Sequence, residues 1–198
     1  MTSKGKKARQ REQRRKAARA RARRRRTLIW SGIGGIAIVV IALLLFQPLP
    51  EELEAVETLP AQGRTHLAAG ENPPEYNSNP ATSGDHAPAP AQCGIYTEEL
   101  PDVVQIHNLE HGAVAINYRS DLAADEIEAL QQFARTKSSH VVVSPRADLT
   151  EPVVVTSWAR MLRLDSVDIE TIDIYFEEFV FSGPEVGVAC PFAVDQGA

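Results

Sequence analysis

The 198-residue sequence predicts an α+β domain, a small sheet with helices on one face, preceded by a single N-terminal transmembrane helix. Three observations carry that prediction. Charge is split sharply along the chain, a long uncharged run separates the two parts, and beyond it β-rich stretches alternate with stretches of helical period.

Residues 1–26 hold 14 Lys and Arg against one acid, Glu12, whereas residues 27–198 hold 7 bases and 25 acids. The run TLIWSGIGGIAIVVIALLLF, residues 27–46, has no charge. At the rise of an α-helix it spans roughly 30 Å, the thickness of the hydrocarbon layer. A secretory leader has a shorter apolar core and a small-x-small cleavage site. Here QPLPEELEAVE follows directly, so an uncleaved anchor is expected. The arginine cluster ending at Arg26 holds the N-terminus in the cytoplasm, and Glu51, Glu52 and Glu54 open the external side. The basic tail suits anionic lipid. It carries no aromatic residue to stack on bases, and nucleic acid is not an expected partner. The predicted localisation is the cell membrane, with a bilayer and an envelope protein as candidate partners.

Residues 47–69 are acidic, with Pro48, Pro50 and Pro60, and read as a stalk. The external domain then covers 70–198. It opens with GENPPEYNSNPATSGDHAPAPAQC, whose prolines remove backbone donors and exclude helix and sheet interior. The turn-forming Asn, Ser, Asp and Gly within it suit an ordered wrap over the domain. AVAINY, 113–118, reads as a strand. DLAADEIEALQQFARTK, 121–137, places Ile127, Leu130, Phe133 and Ala134 at helical spacing, with acids early and bases late. HVVVSP, 140–145, is a buried strand, and PVVVTSWARMLRL supplies one or two more. A second helix follows, with Ile169, Ile172, Phe176 and Phe179 on one face, and Gly183-Pro184 ends it.

Both cysteines, Cys93 and Cys190, lie outside the reducing cytoplasm and are expected to pair. The chain-entropy model gives such a long loop about 4–5 kcal/mol as an upper figure. Thiolate ligation of a metal is the alternative, but neither cysteine has a C-x-x-C neighbour.

Five histidines occur in all, and HNLEHG places two of them, His107 and His111, around Glu110. Along a strand they stand roughly 13 Å apart and cannot share an ion. On a helical turn they are neighbours. Gly112 follows where a helix cap wants glycine, so a turn is favoured. His86 in the proline-stiffened loop is the third candidate ligand, with Asp85 beside it as an outer partner or oxygen donor. Met161 offers a thioether suited to Cu(I), although beside Trp158 and Leu162 it also fits a core. His66 is expected to be solvated in the stalk, and His140 to be a core or edge histidine. The letters also fit H-x-x-E-H, in which Glu110 is the catalytic base of a metal-dependent hydrolase.

The stretches YNSNPATSGDH, CGIY, HNLEHGAVAINY, VVVTSWARMLRLD and GPE resemble the bacterial family catalogued as domain of unknown function 3105, over about residues 70–186. In that family the second Asn of the first motif is usually followed by two prolines. Here Ala81 follows Pro80, with Thr82, Ser83, Gly84 and His86 in place. The resemblance implies a domain held to the membrane by one helix and names no activity. The functional expectation is binding of Cu or Zn by His107, His111 and His86, in preference to catalysis. A metal-free structural or interaction module is the second class, and the hydrolase is the third.

Overall fold

The computed structural model describes Trp30 and residues 50–196. The chain divides into two units, Met1–Leu49 and Pro50–Ala198. The basic tail and, apart from Trp30, the predicted transmembrane helix, 27–46, lie outside the described residues. Among the described residues no helix is long and apolar enough to cross a membrane.

The second unit is a seven-stranded mixed sheet with three α-helices. Its strands are β1 (Glu57–Thr58), β2 (Cys93–Tyr96), β3 (Val114–Arg119), β4 (Val141–Arg146), β5 (Val153–Ser157), β6 (Arg160–Leu164) and β7 (Phe192–Gln196). The helices are α1 (Asp102–Glu110), α2 (Ala124–Thr136) and α3 (Ile169–Phe179). Strand order is β1-β6-β5-β3-β4-β2-β7. Central β3 pairs parallel to β4, with Val114 opposite Val141, and antiparallel to β5, with Ile116 opposite Val155. The expected strand–helix–strand–strand–helix order of residues 113–184 is present, β5 and β6 forming a hairpin.

Helices cover both faces of the sheet, which corrects the expectation of one. Alternate residues of a strand point to opposite faces. Val114, Ile116, Val141, Val143, Val153 and Val155 meet Leu130 and Phe133 of α2 and Ile172, Tyr175 and Phe176 of α3. Ala115 and Val142, one step out of phase, meet Leu109 of α1 and the cysteine pair. Two side-chain hydrogen bonds of 3.0 Å also join Gln105 of α1 to Asn117 of β3. The small Ala115 and polar Asn117 leave room for a helix on that side. The whole of β3 is accordingly buried except Arg119.

The segment expected as a stalk is built into this unit from residue 51 onward. Leu53 is fully buried in the main core, β1 pairs with β6, and His66 forms a bridge with His86. The 70–93 stretch is the ordered wrap expected, buried along residues 80–84 and at His86. Cys93 and Cys190 form the expected disulfide and are therefore not thiolate ligands.

Candidate metal centre

α1 begins after Pro101, and its first residue, Asp102, receives a two-pronged ion pair from Arg146 Nη1 and Nη2 at 2.7 and 2.9 Å. Asp102 Oδ1 also accepts from the amide of Ala81, which ties the wrap to the helix start. The helix end is a Schellman motif: Gly112 N–H donates to Leu109 O and Ala113 N–H to Asn108 O. Gly112 takes φ +88°, and a Cβ there meets Phe181 Cα at 2.6 Å. His107 and His111 thus fall one helical turn apart, as the i, i+4 reading requires.

Four of the five histidines converge at this helix. His107 Nε2 lies 3.1 Å from His111 Nε2. His86 Nε2 lies 3.0 Å from Glu110 Oε2, and His66 Nε2 lies 3.7 Å from the same oxygen. The imidazole of His107 is stacked on that of His66, with centroids 4.8 Å apart, and stands edge-on to that of His86 at 4.9 Å. One donor atom from each of His66, His86, His107 and Glu110 falls within 4.8 Å of every other. His86 is 0 % exposed and Glu110 3 %, while the His66 side chain is 46 % exposed, so the cluster opens to water on the His66 side.

Backbone carbonyls set the tautomers. A carbonyl only accepts, so Nδ1–H of His86 donates to Gly84 O at 2.8 Å and Nδ1–H of His107 donates to Ala87 O at 2.7 Å. In the neutral imidazoles, Nε2 of both is then a lone pair aimed into the cluster. His86 Nε2 and Glu110 Oε2, both buried, face each other as two acceptors without a donor. Such a contact is unfavourable as it stands, and a cation placed between the two atoms, a proton or a metal, relieves it. Burial pushes the pKa of His107 below the ordinary histidine value, partly offset by the bond to Ala87. Burial likewise lowers that of His111, against Glu185 and Glu110. Neutral imidazole is the form that ligates metal.

The sequence-predicted residues are redistributed in part. His86, His107 and Glu110 fall in one donor group with His66, whereas His111, expected to share their ion, touches His107 but falls in a second group with Glu110 and Glu185. Asp85 is not in the donor group. Its Oδ1 accepts from Thr65 N–H at 2.9 Å, which fastens the segment carrying His66. His66 is a member of the cluster and not a solvated stalk residue, because its strand-like segment pairs with that of His86: His86 N–H donates to Thr65 O and Leu67 N–H to His86 O. Met161 is fully buried against Leu149 and Val154, a core residue with no place in the site. His140 is structural as expected, its Nε2–H donating to Val188 O and its ring meeting Phe181 edge-on.

Glu185 was not legible as a site residue. Its carboxylate stands 3.7 Å from His111 Nε2. Gly183 brings it there by packing backbone on backbone: a Cβ at 183 falls 2.2 Å from Glu110 O. The scarcity of histidine was the signal that could have included His66. Nothing in local spacing points to Glu185.

This α+β body, with its histidine–carboxylate cluster at the end of one buried helix, belongs to the family described as "Protein of unknown function (DUF3105)", whose match covers residues 68–191. Neither the curated proteins nor the solved structures contain a match to the chain.

Proposed function

We propose that this is a single-pass membrane protein whose external domain binds a transition-metal ion, Zn(II) or Cu(II), through His86, His107 and Glu110, with His66 completing the shell on the solvent side. The observation that carries the reading is the buried acceptor pair, His86 Nε2 and Glu110 Oε2 at 3.0 Å without a donor. Carbonyls holding the Nδ1–H of His86 and His107 are the usual outer support of metal-ligating histidine. For a tetrahedral ion with ligands at about 2.0–2.1 Å, neighbouring donors stand roughly 3.3 Å apart. The observed 3.0 Å contact between His86 Nε2 and Glu110 Oε2 is close to that. The donor set is imidazole and carboxylate without thioether or thiolate, which suits Zn(II) or Cu(II) and not Cu(I). An external part rich in acids attracts cations to it.

Binding is favoured over turnover. In the H-x-x-E-H reading Glu110 stands back from the ion to handle a proton, whereas its oxygen here is among the donors. The test is competition between the protein and a chelator for Zn(II). His86→Ala and His107→Ala are each expected to weaken binding by a hundredfold or more, and His66→Ala by less. Equal affinity in all four proteins contradicts the site. No binding in any of them leaves the cluster as a metal-free clasp for the 70–93 wrap.

A further inference from the structure

We infer that the cluster holds a second divalent-metal subsite, formed by Glu110, His111 and Glu185, with the Glu110 carboxylate shared between the two ions. The inference rests on the metal-binding reading above and adds a second ion to it. Two groups of donors meet in the cluster, and Glu110 belongs to both: His66, His86, His107 and Glu110 in one, Glu110, His111 and Glu185 in the other. Within each group one donor atom per residue lies within 4.8 Å of the rest.

His111 is buried, and its Nε2 sits between His107 Nε2 at 3.1 Å and Glu185 Oε2 at 3.7 Å. Two-metal centres place their ions about 3.5–4 Å apart, a spacing that a shared carboxylate spans. The position of Glu185 is held by backbone and does not depend on its own side chain. Its amide donates to Glu110 O at 3.0 Å, Phe181 N–H donates to Gly112 O at 2.8 Å, and Gly183 fits between these contacts with no space for a side chain.

The second subsite differs from the first in exposure. The Glu185 side chain is 54 % exposed, and His111 lines a cavity of about 300 Å³ with Pro90, Gln92, Cys190 and Phe192. An ion there has three protein donors and an open side facing water. It therefore binds more weakly than the enclosed one and exchanges faster, and its open position can take water or a small anionic ligand.

Zn(II) titration of the full-length chain in detergent, read by calorimetry and native mass spectrometry, tests this. Wild type is expected to bind two equivalents, the second at least tenfold weaker. Glu185→Gln, an exposed change with its backbone contacts intact, is expected to keep the tight equivalent and lose tenfold or more at the second. One equivalent in wild type overturns the second subsite and leaves the first. Two equivalents unaffected by Glu185→Gln also overturn it, by placing the second ion elsewhere. Zero equivalents overturn the underlying metal reading as well. Cu(II) at two equivalents supplies the check on adjacency: a spin-coupled resonance supports the shared carboxylate, and two isolated-ion signals refute it.

Discussion

Replacing Glu110 by Gln is expected to make the metal-free protein more stable, an unusual outcome for a change at a buried carboxylate. His86 spends its Nδ1 proton on Gly84 O, so its Nε2 faces Glu110 Oε2 at 3.0 Å as acceptor against acceptor. Leaving buried polar atoms without partners costs about 1–3 kcal/mol. An amide at 110 turns one acceptor into a donor and completes the hydrogen bond. For a folded unit of this size each kcal/mol moves the melting temperature by about 2–4 °C, so in chelator Glu110→Gln should melt roughly 2–12 °C above wild type. With Zn(II) at a hundred times its dissociation constant, wild type gains about 2.7 kcal/mol, whereas the variant, short of one anionic donor, gains far less. The order of the two melting curves should therefore narrow or reverse when EDTA is replaced by Zn(II). Calorimetry under both conditions measures it. A variant that melts lower than wild type in EDTA shows that a proton already joins His86 to Glu110, and the reasoning from unpaired acceptors fails.

Acidification gives a separate check. His107 and His111 fold with pKa values pushed below the ordinary 6.5 by burial. The unfolded chain thus holds more protons between the lowered values and 6.5, and stability contributed above 6.5 is lost as pH falls through that window. In EDTA, His111→Ala should lose less stability than wild type between pH 7.5 and 5, and an equal or steeper loss contradicts the assigned direction. Asp102→Ala, which removes the two-pronged partner of buried Arg146 and leaves it only the Nε contact to Asp148, should cost about 1–3 kcal/mol. Urea unfolding measures that loss, and a change under 1 kcal/mol makes the pair peripheral. Protease added outside cells with any outer layer opened should digest the chain beyond about residue 47 and spare the basic tail. Protection of the acidic domain reverses the proposed orientation.

Legibility in the sequence followed the range of the forces involved. The strands and helices of residues 113–184 were readable because apolar periodicity is local, and Gly112 marked the end of α1 because only a left-handed residue completes its cap. The start of α1 at Asp102 was missed. Its buried residues include Gln105, His107, Asn108 and Glu110 beside Ile106 and Leu109, so it shows little amphipathic pattern. Helices on both faces were missed for a related reason: the second face is reached through Ala115 and Asn117, small and polar residues that do not announce burial. β2 and β7 are short and depend on each other and on β4. Within the site, His86, His107, Glu110 and His111 were selected by spacing and loop stiffness. His66 and Glu185 reach it through backbone pairing with residues 20 and 75 positions away, which no local pattern encodes.

The central claim is that the cluster holds a metal ion. The direct measurement is elemental analysis of the untagged full-length protein, extracted from membranes and purified without chelator. At least one Zn or Cu per chain is predicted, falling below a tenth in a His86→Ala and His107→Ala double variant of unchanged circular dichroism. Wild type that carries no stoichiometric metal, and takes up none when dialysed against Zn(II) or Cu(II), contradicts the account.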